Sequence, residues 1–217
     1  MSNKGNAFFI FTLVLLVFFL AGCHSYRPPT QQLRVRILVT DFQMTDEIRS
    51  IPREVRGWWF GARDVHQNSN SGEIFADILA KELNQAVSVA DVYSRTDFKY
   101  YKANKRERMK DAFPHLDDVA IAGLFAEIPP LDFARDLQTD VMLIGRLNRS
   151  YTAHNRAFHL WSSVVDADVI LVNVESGEPV WSGRIALRKN FRGQPHTMRV
   201  AAEKLIIRMK KEYFDKY

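Results

Sequence analysis

Cys23 is the residue whose setting points most directly to chemistry. It is the only cysteine of the 217 residues, and it follows a mainly apolar, uncharged run at residues 7–21. Lys4 precedes this run, and the small residues Ala21 and Gly22 end it. A cationic start, an apolar stretch and small residues are typical of a secretory signal, whereas a membrane span needs about 20 apolar residues. We therefore predict that residues 1–22 are a signal peptide.

The sequence Leu20-Ala21-Gly22-Cys23 resembles a bacterial lipobox. The resemblance implies that Cys23 is lipidated on sulfur, that the peptide before it is removed and that the new amino terminus is acylated. Several acyl chains hold a protein on a bilayer almost permanently, whereas a single chain is marginal. The alternative is an ordinary N-terminal anchor helix with an incidental cysteine. Once its one thiol is acylated the chain has no disulfide, so burial alone must hold its core.

Residues 23–32 are predicted to be the lipidated cysteine and a short polar tether. The nine residues after Cys23 reach only about 30 Å when extended, so the folded body stays near its membrane. In sorted bacterial lipoproteins an Asp after the cysteine favours the inner membrane. The residue here is His24, so we expect the outer membrane, with the body facing the periplasm. Loss of Lys4 lowers the formal net charge from +5 to +4, a mild excess that does not argue for nucleic acid.

An aromatic cluster, Trp58-Trp59-Phe60, lies at the centre of a long irregular stretch. If it is exposed, it is a candidate anchor for a partner protein or for lipid headgroups, because aromatic side chains dominate the energetics of interfaces. The alternative is that the cluster folds back into the core. The flanking arginines are Arg53, Arg56 and Arg63, and they favour an anionic surface.

Two further groups resemble catalytic or metal-binding residues. Asp166 and Asp168 share one face of a predicted strand, as paired catalytic acids do, but we favour a solvent-facing strand edge whose like charges discourage pairing with other strands. His115 near Asp117 and Asp118 has metal-ligand residue types. A helix-capping aspartate near a solvated histidine is the favoured interpretation there.

The basic run at residues 99–110 fits either an anionic partner, such as lipid headgroups or lipopolysaccharide, or a solvated helix face, which we favour. The sequence has no Gly-x-Ser-x-Gly, no His-Glu-x-x-His and no Gly-rich phosphate loop. We therefore expect a protein that is not an enzyme and has no metal and no cofactor.

Hydrophobic periodicity predicts a mixed sheet covered by helices, an α/β or α+β domain over residues 33–217. Asn70 and Glu73 have capping-box spacing before a helix at 72–86. A strand is expected over 87–93 and a last helix over 196–213. Alternating residues at 163–174 and 179–187 around a Gly-containing turn predict a long antiparallel hairpin.

Four segments in this order resemble a group of bacterial periplasm-facing lipoproteins. They are residues 39–42, 72–83, 134–145 and the hairpin at 169–182. The group includes the curli-secretion channel family, lipoprotein activators of peptidoglycan synthases, and lipoproteins with a fold like the N-terminal domain of TolB.

This resemblance implies a TolB N-terminal-domain-like fold. It also implies a non-catalytic outer-membrane accessory or assembly factor in cell-envelope biogenesis or secretion, with an envelope protein as its partner. The alternative is an oligomeric pore-forming secretion lipoprotein of the curli-channel type, which implies a homo-oligomer.

Overall fold

The fold is taken from a computed structural model, which describes residues 34–45, 64–155 and 159–216. These residues belong to one compact unit, Arg34–Tyr217.

Seven strands in the described residues form one sheet. They are β1 Val35–Val39, β2 Gln43–Met44, β3 Asp64–His66, β4 Ala90–Tyr93, β5 Val141–Asn155, β6 Leu160–Asn173 and β7 Pro179–Asn190. The α-helices of the same residues are α1 Ser71–Ala86, α2 Arg95–Ala112, α3 Asp118–Ala126, α4 Pro130–Asp136 and α5 Gln194–Glu212. A short 3₁₀ turn, Phe214–Lys216, follows α5.

The sheet is mixed, with the order β4-β1-β5-β6-β7 and with β2 and β3 paired to β5. Strand β1 runs parallel to both β4 and β5. Strands β5, β6 and β7 form an antiparallel meander, in which β6 and β7 are the predicted hairpin with longer arms than predicted. The predicted mixed sheet with a long antiparallel hairpin, covered by helices, is confirmed.

One face of the sheet is buried under α1 and α5. Alternate strand residues point to this face, because successive side chains of a strand lie on opposite sides. They include Ile37, Val39, Leu143, Val165, Ala167, Val169 and Leu171. The helices contribute the stripes Phe75, Leu79 and Leu83 from α1 and Met198, Leu205 and Met209 from α5. Each fully buried large side chain contributes about 1.5–3 kcal/mol, so this face carries most of the stability.

Helices α2, α3 and α4 pack on the other face around a smaller cluster. Its buried members are Leu38, Phe98, Phe133, Ala134, Met142 and Val174. The rings of Phe98 and Phe133 meet edge to face, with centroids 5.7 Å apart, a favoured geometry for aromatic pairs. Further along β5, β6 and β7 the same face carries arginines and aspartates.

The helix starts differ in part from the sequence prediction. The capping box expected at Asn70 is wrong: Asn70 is the N-cap of α1, but its side chain makes no capping hydrogen bond. Its own backbone N–H donates to Asn68 Oδ1 at 2.9 Å, which shows how a neighbouring Asn competes for the local backbone. Ser94 and Asp97 form a capping box at the start of α2 instead. The strand expected from residue 87 begins only at Ala90.

Arg95, the first residue of α2, ties this helix to α1. Its guanidinium donates to both carboxylate oxygens of Asp77, at 3.1 and 2.8 Å, and to Glu73 Oε2 at 2.6 Å. Nη1 also lies 3.5 Å from Asp41 Oδ1, next to β1. The hydrogen bonds that Arg95 donates to Asp77 raise the pKa of Arg95 although burial opposes this. Arg95 therefore joins three parts of the chain through charge-assisted hydrogen bonds.

Gly145 in β5 allows the ring of Phe42 to lie directly on the sheet. A Cβ at position 145 would overlap the Cε2, Cζ and Cδ2 atoms of Phe42. Phe42 in turn meets Phe75 of α1 edge to face at 5.6 Å. The absence of a side chain at 145 thus sets how closely the segment after β1 approaches the core.

Candidate functional site

A buried carboxylate, Asp166, lies at the centre of the strand β6 and is 1% exposed. Arg149 of β5 donates to its Oδ2 from Nε at 3.2 Å and from Nη2 at 2.9 Å. Arg184 of β7 donates from Nε to Oδ1 at 3.2 Å and from Nη2 to Oδ2 at 3.0 Å. Strands on both sides therefore supply a guanidinium to the same acid.

A bulge in β5 creates this arrangement. Leu147 pairs with Ala167 and Arg149 pairs with Asp166, so Asn148 is the extra residue. A bulge re-aims the side chains that follow it. It leaves Leu147 buried in the core and puts Arg149, two positions later, on the opposite face beside the acid.

Asp166 is held in its ionised form. Burial alone would favour the protonated acid, but the hydrogen bonds from Arg184 and Arg149 outweigh it, so the pKa of Asp166 lies below its usual value of 3.8. An ionised carboxylate is an acceptor only. The arrangement therefore positions two guanidiniums on the sheet surface and gives Asp166 no proton to donate at neutral pH.

Asp168 lies two residues along the same face and is half-exposed. Its Oδ2 accepts from Asn148 Nδ2 at 2.7 Å, and its Oδ1 lies 3.7 Å from Nε of Arg184. The interpretation of Asp166 and Asp168 as a solvent-facing strand edge is wrong, because β6 lies between β5 and β7 and Asp166 is buried. The carboxylates are tolerated there because arginines and an amide satisfy them.

The cluster borders an open groove of about 1150 Å³ between the sheet and the helices α2 and α4. The sheet contributes Arg146, Asp168 and Arg184 at one end and the apolar side chains Met142, Ile144, Ile170 and Val172 along the floor. Phe98, Pro129, Pro130 and Leu131 form a wall. A largely apolar concave surface with a few convergent polar groups is the usual form of a ligand site.

The residues singled out in the N-terminal and aromatic segments are Cys23, Trp58, Trp59 and Phe60, and they lie outside the described residues. Lipidation of Cys23 and the exposure of the aromatic cluster thus remain predictions. Within the described residues no helix is long and apolar enough to cross a bilayer.

The interpretation of Asp117 as a helix cap is confirmed. Asp117 Oδ1 accepts the backbone N–H of Ala120 at 2.7 Å at the start of α3. Asp118 binds Nζ of Lys110 at 2.9 Å, and the hydrogen bond from Lys110 lowers the pKa of Asp118. His115 is exposed. In the described ranges, no group of three or more His, Cys, Asp or Glu side chains has the arrangement of a metal site.

The basic run of α2 is largely engaged within the protein. Lys99 lies 3.5 Å from Glu73, Lys105 pairs with Asp136, and Lys110 pairs with Glu107 and Asp118. Nζ of Lys102 sits over the Phe98 ring, 4.4 Å from its centroid. These contacts support the favoured interpretation of a solvated helix face.

The arginines at positions 146, 149 and 184 were missed at the sequence level. The available signal was the hairpin register, which brings Arg184 opposite Asp168 and next to Asp166. Aligning the two arms of the hairpin would have found Arg184. The pairing of Arg149 needs the bulge, for which the sequence has no marker.

No protein-family model and no curated protein matches this sequence. Among solved structures, the chain is similar to the PelC dodecamer from Paraburkholderia phytofirmans, at 11% identity over 80% of this chain and 86% of that one, with a TM-score of 0.48. It is similar to lipoprotein GNA1162 from Neisseria meningitidis at 13% identity over 82% and 99%, also with a TM-score of 0.48.

A third similar structure is the LpoB C-terminal domain from Escherichia coli, at 14% identity over 70% of this chain and 82% of that one, with a TM-score of 0.35. All three TM-scores are below 0.5, so function has to be argued from this chain's own residues.

Proposed function

We propose that this chain is an outer-membrane lipoprotein that acts as a non-catalytic accessory or assembly factor in cell-envelope biogenesis or secretion. In this proposal residues 1–22 are the signal peptide and Cys23 carries the acyl chains. Residues 24–32 are the tether, and residues 33–217 are one domain facing the periplasm. The domain works through contacts with an envelope protein.

The observation that carries the proposal is the position of Cys23. The single thiol of the chain stands directly after an apolar run and two small residues, at the point where a lipidated cysteine is expected. The compact unit begins at Arg34, so only a short segment separates it from Cys23. A body on such a segment remains within about 30 Å of the membrane surface.

The chemistry of the arginine–aspartate cluster supports a binding role over acid–base catalysis. A general acid or base must exchange a proton near the working pH. Asp166 instead has a lowered pKa and is enclosed by Arg149 and Arg184. Its carboxylate is suited to holding the two guanidiniums in place.

Metabolic labelling with an alkyne fatty acid tests the anchor. The wild-type chain should incorporate the label and fractionate with outer membranes, whereas Cys23→Ala should incorporate none. An unmodified Cys23 in the wild-type protein would refute the proposal.

A second pair of variants tests the sorting prediction. His24→Asp should move the labelled protein to the inner membrane, and His24→Asn, of the same size but without the negative charge, should leave it in the outer membrane. The same location for both variants would contradict the role assigned to position 24.

Cross-linking in intact cells, followed by sizing of the labelled complexes, separates the accessory role from the alternative. A complex with a different envelope protein supports the proposal. A ring of identical chains that conducts ions in planar bilayers would replace it with the pore-forming alternative.

A further inference from the structure

We propose that the groove beside the arginine–aspartate cluster binds a single-chain anionic amphiphile, an aliphatic chain ending in a carboxylate or phosphate. The anionic head lies at Arg146 and Arg184, and the aliphatic chain lies along the floor formed by β5 and β6. This site is a property of the described residues and does not depend on acylation of Cys23.

The strand register places charged residues at one end of the groove floor and apolar residues along the rest of it. Across β5 and β6, Arg146 pairs with Asp168, Ile144 with Ile170, and Met142 with Val172. These three rows all line the groove. At about 3.3 Å per residue, four residues from Arg146 to Met142 span about 13 Å. The groove therefore has one charged end and an apolar length, as an amphiphile has.

The side chains that line the groove carry a net positive charge. Its cations are Lys102, Arg146, Arg184 and Arg208 and its acids are Asp41 and Asp168, which leaves two positive charges in excess. Arg146 is exposed, and its guanidinium makes no hydrogen bond or ion pair with any residue that the structure describes. Its guanidinium is therefore available to bind an anionic head through two parallel hydrogen bonds.

The apolar part selects an aliphatic chain over a peptide. The backbone of β5 and β6 is paired within the sheet, so the floor offers side chains and no free N–H or C=O groups. A peptide would bring polar backbone groups that lack partners there, which is costly. An aliphatic chain brings none.

Photo-cross-linking tests this site in the full-length, membrane-anchored protein held in nanodiscs. The probe is a dodecanoate that carries a diazirine near its methyl end. After illumination and digestion, the modified peptides should come from β5, β6 and the segment containing Leu131. Unlabelled dodecanoate should compete, and dodecyltrimethylammonium, of equal length and opposite charge, should compete at least about tenfold more weakly.

Charge reversal at the head end supplies the matched comparison. Arg146→Glu changes an exposed side chain, so the fold is retained, and labelling in the groove should fall about tenfold. Lys81→Glu makes the same change in net charge on α1, which packs on the other face of the sheet and contributes no residue to the groove, and should leave labelling unchanged. Ile170→Trp, which fills the floor, should block labelling while Arg146 is intact.

Labelling scattered over the surface, equal competition by the cationic analogue, or equal labelling of Arg146→Glu and Lys81→Glu would each overturn the proposal. If Cys23 proves to be unmodified, the same assay runs in buffer without nanodiscs. The lipid anchor and the groove are therefore tested separately.

Discussion

Arg149 lies 2.9 Å from the carboxylate of Asp166, across a strand pair whose register has shifted by one residue at Asn148. This shift couples the packing of the core on one face of the sheet to the position of the charged side chains on the other face. Leu147 before the bulge is fully buried, and Arg149 after it reaches the acid. The candidate site thus depends on a backbone irregularity.

Removal of the Asp166 charge should destabilise the fold. Asp166→Asn keeps the shape of the side chain but replaces an ionised acceptor of four guanidinium hydrogen bonds. Arg149 and Arg184 are 44% and 63% exposed, so water compensates in part, and the expected loss is about 1–3 kcal/mol. Urea unfolding measures it. Asp168→Asn, at a half-exposed position, is the control and should cost less than about 1 kcal/mol.

Acid should remove the stabilisation that Asp166 contributes. Its folded-state pKa lies below its usual value of 3.8, so between these two values the unfolded chain binds the proton more readily. The contribution is fully present above the unfolded pKa and is lost as the pH falls through the folded pKa. The difference in unfolding free energy between wild type and Asp166→Asn should therefore be larger at about pH 6 than at about pH 3. A difference that grew on acidification would contradict this assignment.

Two glycine substitutions should have effects of opposite sign. Gly145→Ala places a methyl group where the Phe42 ring lies, and the displaced ring should cost about 1–3 kcal/mol. Gly123→Ala in α3 meets no atom within 4 Å and should stabilise by about 0.5–1 kcal/mol, because alanine favours a helix. Thermal unfolding of the two variants measures both. A Gly145→Ala protein as stable as wild type would show that Phe42 does not lie on position 145.

Arg95 should contribute more to stability than an exposed arginine. Arg95→Met keeps most of the side-chain volume but removes the donor of Asp77 and leaves Glu73 with only the longer contact from Lys99. Arg95 is 12% exposed while both acids are 43% exposed, so the expected loss is about 1–2 kcal/mol. Arg199→Met is the control. Arg199 is 61% exposed, and its Nε lies 3.8 Å from Glu82 Oε1, which makes a weak ion pair. Its loss should lower the unfolding free energy by less than about 0.5 kcal/mol. Equal losses of unfolding free energy in the two variants, measured with urea, would argue against the role of Arg95 in joining α2 to α1 and to the segment after β1.

The regular elements were predictable because their side-chain periodicity reflects burial on one face. The β6–β7 hairpin and the helices α1 and α5 follow from alternation and from helical spacing, and the structure has them within a few residues of the prediction. The N-cap at Asp117 was also predictable, since an aspartate before an apolar helix is a common start. Local preferences and tertiary packing agree at these places.

The ion-pair cluster was not predictable in the same way. Asp166 and Asp168 alternate with buried residues, which is also the pattern of a solvated strand face. What distinguishes the two cases is the presence of Arg149 and Arg184 on the flanking strands, and the register that brings Arg149 there depends on the bulge. A bulge arises from how both strands fit the core, so a single stretch of sequence does not specify it.

The parallel pairing of β1 has a consequence for the order of folding. Val35 pairs with Ala90 and Ile37 with Val141, so β1 must find partners that lie far along the chain. The β5–β7 meander needs only neighbouring segments and closes without that long search. We therefore expect the meander to form early in folding and the apolar strand β1 to pair late, when β4 and β5 are in place.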